Sequence, residues 1–411
     1  MLKNIFVKRV LTLLTGTTLA QALPILLSPI LTRLYTPAEF GQLGVVVAIT
    51  AIFGIVAGWR MEFAIMQPKS ENDAFRICSL TMALSIFNSM LTFVFLVLLN
   101  DKLEMYLDDA ILNMIYLIPV SVALMGVCQS LNYLNNRFIK FKLIAQGKVF
   151  QSVGNVSTSI TYASYGSGSL GLVLGHVIGQ AVHLTIMSKT YIQWLKGKSS
   201  LKYNLLRTYS LIKKYKKYPL ISAPGALVDT VSLQSPVIFV NKIFDSTAAG
   251  YFSFIYRIIG GPLALVSAAI SQVLLQKITA EKSNTVNQLL KLVRVLLIPA
   301  LFTVLLLNFY GEFIFGFVFG EEWRVAGSYA AVISFSVAIR FMVTPLSMVM
   351  AIEKNLKLGF LWQAIYLFVI VSLYFFFHNG DFDAFLHAYV IADVLMYFLY
   401  FYFILIGAKR I

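Results

Sequence analysis

Apolar residues fall into long runs broken by short polar segments. A helix crosses a hydrocarbon core of roughly 30 Å with about 20 mainly apolar residues. Twelve segments meet that requirement, near residues 10–32, 41–59, 77–99, 111–134, 146–165, 169–190, 219–241, 248–275, 289–309, 325–350, 357–377 and 384–407. They predict an all-α polytopic membrane protein with twelve transmembrane helices. The fifth is the most polar, carrying Gln151, Ser152, Asn155, Ser157, Thr158, Ser159 and Thr161. It is predicted to face other protein or a wet cavity, where its polar groups find partners.

Charge orients the spans. With the N-terminus in the cytoplasm, the two tails, the even-numbered connections and the span ends beside them hold 27 of the 33 Lys and Arg. The opposite loops hold only Arg33, Lys102, Lys242 and Arg324. This bias predicts that both termini are cytoplasmic. It also explains the formal charge of +15 without nucleic acid, because most of the basic excess faces anionic membrane lipids. Composition agrees: 59% of the 411 residues are hydrophobic and 12% charged, too few charges to clothe a soluble fold of this length. Two cysteines, Cys78 and Cys128, lie inside apolar runs, which argues against a disulfide framework or a cysteine metal site. The first span mimics a signal peptide, with Ala20, Gln21 and Ala22 as a cleavage pattern. Its apolar run continues to residue 31, so it is read as a retained helix.

The chain carries an internal echo. Leu31 to Tyr35 followed by Gly41 matches Val240 to Phe244 followed by Gly250, an offset of 209 residues. Each is preceded by Ser-Pro, at Ser28 and Pro29 and at Ser235 and Pro236, displaced by two positions. Ile65 to Gln67 echoes Leu274 to Gln276 more weakly. The offset maps span 1 onto span 7, an even number of crossings, which predicts two six-helix lobes related by a parallel pseudo-two-fold repeat. The lobes are 1–190 and 219–411, joined by a basic cytoplasmic linker over 191–218. Lys202 to Tyr218 within it fits an amphipathic helix on the inner leaflet.

The runs Leu31 to Gly41 (LTRLYTPAEFG), Trp59 to Lys69 (WRMEFAIMQPK), and Tyr218-Pro219 through Gly250-Tyr251 and Arg257 to Val273 resemble the bacterial polysaccharide biosynthesis membrane proteins. These are oligosaccharide-lipid flippases of the multidrug, oligosaccharidyl-lipid and polysaccharide exporter superfamily. The resemblance implies two lobes around a central cavity in the bacterial inner membrane. It also implies an undecaprenyl-diphosphate-linked oligosaccharide, of O-antigen or capsule type, as substrate. No cofactor is implied. Proton or sodium coupling, and a downstream polymerase or ligase as partner, fit the same resemblance.

Charges inside the bilayer are costly and mark pathways or partners. Arg340 falls about 15 Å from the cytoplasmic end of span 10, at the midplane. Arg257 lies a third of the way into span 8, Asp229 near the middle of span 7 and Asp393 inside span 12. Guanidinium groups hold phosphate oxygens bidentately, so on the implied substrate Arg257 and Arg340 are candidate diphosphate ligands, with Arg60 at the inner mouth of span 2. The related lipid II flippases use arginines on spans 1, 2 and 8, which only Arg60 and Arg257 match. Span 1 carries Lys8 and Arg9 at its foot and no charge within it. The plainer alternative pairs Arg257 and Arg340 with Asp229 and Asp393. Glu62, Asp229 and Asp393 are candidate ion-coupling carboxylates or charge partners, and for Glu62 a simple ion pair with Arg60 or Lys69 is the leading reading. His176 and His183 share a face of span 6 and read as packed neutral imidazoles before a proton relay.

Gly166, Gly168 and Gly171 fit a dinucleotide fingerprint but join two spans, so they read as a tight turn. Gly171, Gly175 and Gly179 predict close helix contact within a lobe. Pro24, Pro29, Pro224, Pro236, Pro262 and Pro345 predict kinks. No Walker motif is present, which leaves an ion gradient or product consumption as the energy source. A glycosyltransferase or repeat-unit polymerase would need a sizeable extramembrane loop, and the periplasmic loops are short. A drug or ion antiporter of the same superfamily fits the topology but not the basic stretch near Arg60. A scaffold subunit leaves the midplane charges without a role. The orientation has a direct check: an Asp108→Cys variant is expected to react with an impermeant maleimide from the periplasm only, and labelling from the cytoplasm alone would reverse the topology.

Overall fold

Thr36 starts the second span. Its hydroxyl accepts from the Glu39 backbone N–H at 3.4 Å while the Glu39 carboxylate accepts from the Thr36 N–H at 2.7 Å. With Pro37, which has no N–H, in the first helical position, this is a reciprocal cap that satisfies the Thr36 and Glu39 donors. Asp245, 209 residues on, caps the eighth span in the same place, accepting from the Ala248 N–H at 2.6 Å.

The computed structural model describes residues 22–105, 107–166, 168–197, 205–280, 285–351, 353–377 and 380–410. No strand occurs among them. The helices are α1 (Ser28–Leu34), α2 (Pro37–Gly54), α3 (Glu71–Leu98), α4 (Leu117–Arg137), α5 (Phe141–Ala163), α6 (Leu170–Met187), α7 (Lys189–Gly197) and α8 (Leu205–Lys214). They continue with α9 (Ala223–Ile243), α10 (Ser246–Ile255), α11 (Gly261–Ala280), α12 (Thr285–Phe319), α13 (Arg324–Val343), α14 (Leu356–Phe376) and α15 (Phe382–Ala408). Ten stretches among the described residues are long and apolar enough to cross a membrane. Of the two remaining expected spans, the fifth is present as α5, whose 23 residues are long enough but too polar to be counted among the ten. Most of the first, residues 10–21, lies outside the described residues, as does the candidate cleavage pattern up to Gln21.

Two compact units emerge: the described parts of Met1–Tyr35 with Val45–Gln234, and Thr36–Gly44 with Ser235–Ile411. In the first, α5 solves its polarity problem by packing on α6 through glycine. A Cβ at Gly175 would lie 2.6 Å from the Asn155 carbonyl oxygen, and one at Gly179 would lie 2.7 Å from that of Gln151. The small-residue spacing of span 6 therefore acts inside one unit. Ser159, fully buried, donates to the Asn155 carbonyl, and its own carbonyl accepts from Tyr35 Oη at 2.6 Å. In the linker, Arg207 of α8 donates Nε to Asp73 of α3 at 3.1 Å, and Trp194 of α7 stacks on Phe75 at 4.0 Å.

Prolines widen rather than break two spans. The backbone forms a π turn over Tyr218–Ser222, just before Pro224, and another over Tyr256–Gly260, just before Pro262. A proline ring collides with the carbonyl four residues earlier, and a π turn moves that carbonyl aside while keeping the helix continuous. Pro345 sits where α13 gives way to a 3-10 segment over Thr344–Ala351, whereas Pro236 lies inside α9.

Repeat mates meet within the second unit. A Cβ at Gly41 would lie 1.8 Å from the Ser246 carbonyl oxygen, and one at Gly250 would lie 1.8 Å from that of Pro37. Pro37 and Ser246 are themselves 209 apart, as are Gly44 and Ser253, which also touch. Contact of like with like at a fixed offset is the geometry of residues beside a pseudo-two-fold axis. Only glycine lets the backbones approach this closely. Gly41→Leu and Gly250→Leu are each expected to lower the unfolding free energy of detergent-purified protein by about 1–3 kcal/mol or more. Gly225→Ala, built into open space, is expected to leave the melting temperature unchanged or slightly higher.

Candidate functional site

At the C-terminal end of span 2 the chain leaves α2 and makes a left-handed turn at two consecutive non-glycine residues, Trp59 (φ 54°) and Arg60 (φ 59°). Each costs on the order of 1–2 kcal/mol, and such strain is concentrated where a side chain must be aimed. A 3-10 segment over Met61–Met66 follows. Arg137 of α4 donates to the Ile65 carbonyl at 3.0 Å and to that of Pro68, pinning the far side of the turn. The Arg60 guanidinium lies 4.5 Å from the Phe63 ring centre, and its Nε is buried without a hydrogen-bond partner among the described residues.

Glu62 is 2% exposed. Its Oε1 accepts from Gln129 Nε2 of α4 at 3.1 Å, and its Oε2 is buried without a partner among the described residues. A Cβ at Gly58 would come within 2.9 Å of that oxygen, so glycine makes the space for the carboxylate. The expected ion pair with Arg60 or Lys69 does not form. The left-handed turn separates Arg60 from Glu62, and a carboxamide from another helix takes the place of a cation. Burial pushes the Glu62 carboxyl above the usual carboxylate range, against opposing pulls from its backbone hydrogen bond and the Arg60 charge.

The second unit holds the other charges. Arg340 on α13 forks onto Asp393 on α15, Nε to Oδ2 and Nη2 to Oδ1, each at 2.8 Å. Nη2 also reaches Tyr366 Oη at 2.8 Å and Tyr389 Oη at 3.0 Å. Asp393, fully buried, further accepts from Tyr366 Oη at 2.7 Å and from Ser336 Oγ. Tyr256 bonds Ser336 at 2.8 Å, and its ring and that of Tyr397 each lie 5.3 Å from the guanidinium carbon. For this arginine the geometry is that of the pairing alternative. Its fork is committed to a carboxylate, so the expectation of a freely available phosphate ligand at Arg340 is corrected.

Arg257 differs. It sits on the Tyr256–Gly260 π turn, half-buried, and makes no hydrogen bond or ion pair with any described residue. Asp229 is half-buried on α9 in the first unit. His183 of α6 is buried with its Nε2 unpartnered among the described residues, while His176 bonds Gln180 at 2.9 Å.

Several of these partners escaped the sequence reading. Ser336 precedes Arg340 by one helical turn, and Tyr389, Asp393 and Tyr397 follow one another at four-residue spacing, so the cage was written on two helix faces. Gln129 carried no comparable signal, since it lies 67 residues from Glu62.

A family model for polysaccharide biosynthesis proteins matches residues 30–328, and the chain belongs to that family. No curated protein matches the sequence. Among solved structures, the lipid II flippase MurJ in an inward closed conformation superposes with TM-score 0.74 at 13% identity, covering 98% of this chain and 87% of that one. A multidrug resistance MATE family transporter of the MOP superfamily, inward-facing, gives 0.68 at 15% identity, with 97% and 96% covered. A MOP superfamily transporter from Pyrococcus furiosus gives 0.62 at 14% identity, with 98% and 95% covered. The protein is thus a multi-pass membrane protein with the MOP transporter fold, and its structural neighbours are transporters and flippases rather than enzymes.

The contrast between the two arginines is measurable as stability. Asp393→Leu strands Arg340 and is expected to cost about 3–5 kcal/mol in denaturant unfolding of micellar protein. The double variant Arg340→Met with Asp393→Leu should recover most of that loss. Arg257→Met should leave the unfolding midpoint unchanged, and a loss as large as that of Asp393→Leu would show that Arg257 is structural.

Proposed function

We propose that this protein is a flippase carrying undecaprenyl-diphosphate-linked oligosaccharide units from the inner to the outer leaflet of the bacterial inner membrane. The observation that carries the reading is Arg257: a guanidinium in a spanning segment with no protein partner among the described residues. A cation retained in the bilayer without a counter-charge needs an anion from elsewhere. A lipid diphosphate supplies one whose polyprenyl tail stays in hydrocarbon while its oxygens take the planar fork. Arg60, aimed by its strained turn and stacked on Phe63, is a separate candidate phosphate contact within the first unit. Arg340 is reassigned as an anchor. Asp393, neutralised by that anchor, is a poor carrier of a coupling ion. Glu62 is the better one, since its free oxygen is buried and its protonation is favoured by desolvation.

The experiment is leaflet-resolved accumulation of diphosphate-linked oligosaccharide in cells lacking the protein, complemented at equal expression. Wild type is expected to clear complete units from the inner leaflet. Arg257→Ala is expected to slow clearance by about tenfold or more, since a charged hydrogen bond is worth roughly 1.5–3 kcal/mol, with partial recovery by Arg257→Lys. Incomplete units on the inner leaflet would indicate a glycosyltransferase instead, and single complete units outside would indicate a polymerase.

A further inference from the structure

The first unit holds a half-open pocket of about 410 Å³ lined by α4, α5 and α6, within the roughly 300–1,000 Å³ range of small-ligand sites. Its wall is unusual for a membrane-spanning bundle. Five carboxamides face it: Gln129, Asn132 and Asn136 from α4, Gln151 from α5 and Gln180 from α6. Asn132, Asn136 and Gln151 make no side-chain hydrogen bond with any described residue, and Gln180 Oε1 is buried without such a partner. Among the described residues, no Lys, Arg, Asp or Glu lines the space, and the one titratable base there is His183. Unsatisfied amides at membrane depth are costly, and such groups are kept where something polar fills the space they face.

We infer that this cavity is a sugar-binding site, taking a neutral, hydroxyl- and amide-bearing hexose such as an N-acetylated one. Each carboxamide offers both a donor and an acceptor, which matches vicinal hydroxyls and an acetamido group in either direction. Met125 and Cys128 supply an apolar patch for an acetyl methyl, and the Tyr133 ring supplies a flat face for the sugar ring. A free phosphate or an acidic sugar would be desolvated there with no Lys or Arg among the described lining residues. The location fits one end of a single substrate. Tyr133 packs edge-on against Phe63 at 5.0 Å, and Phe63 carries the Arg60 guanidinium, so the neutral cavity adjoins the cationic inner mouth. Gln151 lies ten residues into α5, about 15 Å from its cytoplasmic end, so the site reaches well into the membrane from the inner side.

This inference rests on the flippase reading, and its test separates the two. Full-length protein in nanodiscs is titrated with undecaprenyl diphosphate, with undecaprenyl diphosphate bearing one N-acetylglucosamine, and with the same lipid bearing one glucuronic acid, and retention is read by native mass spectrometry. Wild type is expected to hold the N-acetylglucosamine lipid about tenfold more tightly than the bare or the acidic lipid. Asn132→Leu and Gln151→Leu, which remove no hydrogen bond to a described residue, are each expected to reduce that ratio to within threefold of one. Both should keep the wild-type affinity for the bare lipid, which also reports that they fold. Arg257→Ala is expected to weaken all three lipids alike. Equal binding of the three lipids by wild type, or a sugar preference that survives both leucine variants, overturns the sugar site while leaving the flippase reading in place. Failure to retain any diphosphate lipid overturns both.

Discussion

Arg340 and Asp393 stand where neither charge is tolerable alone, and much of the second unit is arranged around their meeting. Stripping a guanidinium and a carboxylate of water costs several kcal/mol each, so the pair persists only with further hydrogen bonds from its surroundings. That demand recruits Ser336 from the same helix as the arginine, Tyr366 from α14, Tyr389 from α15 and, through Ser336, Tyr256 from the π turn. Three long helices and one irregular turn are thereby held in a fixed rotational register. The tyrosines contribute their rings as well as their hydroxyls. Trp362, Tyr366 and Tyr397 extend the cluster along α14 and α15.

The same constraint makes Arg257 conspicuous. It occupies the residue next to Tyr256, on the turn that helps build the cage, yet shares none of the cage's acceptors. A π turn shifts the side chains after it relative to an ideal helix, so the turn that delivers Tyr256 to Ser336 also sets where its neighbour sits. The irregularity has a plain cause in Pro262. One proline thus serves packing at one residue and the exposure of an unpaired cation at the next. Seven residues before Arg257, backbone contact between Gly41 and Gly250 needs no polar group at all, only the absence of side chains.

Much of this was legible in the sequence. The spans, their polar exception at α5 and the glycine seam of α6 follow from hydropathy and spacing, because the bilayer leaves few alternatives. The 209-residue echo turned out to relate caps to caps and a glycine to the glycine it touches. Pairing of Arg340 with Asp393 was one of two readings of midplane charge, and only coordinates decide between partners separated by 53 residues. Glu62 was misread because proximity in sequence to Arg60 and Lys69 suggested a local ion pair, whereas a left-handed turn intervenes and the real partner lies on α4. The cavity was harder still. Gln129, Asn132, Tyr133 and Asn136 form a polar stripe at helical spacing, but a stripe does not say whether it meets another polar face or an empty volume. Proline positions announced a disturbance without saying that the helix would widen instead of bend.

On the proposed reading, the chemistry of the substrate explains why polar groups are distributed as they are. A lipid-linked sugar diphosphate makes two incompatible demands on a membrane protein: fixed positive charge for the diphosphate, and uncharged hydrogen-bonding capacity for the sugar. Placing both in one pocket would leave cations beside hydroxyls that do not neutralise them, at the desolvation cost of an unpaired charge. Keeping Arg60 outside a carboxamide-lined space, with the Phe63 and Tyr133 rings between, satisfies each demand separately. The arginine whose charge would have been surplus to this scheme, Arg340, is the one the fold neutralises internally.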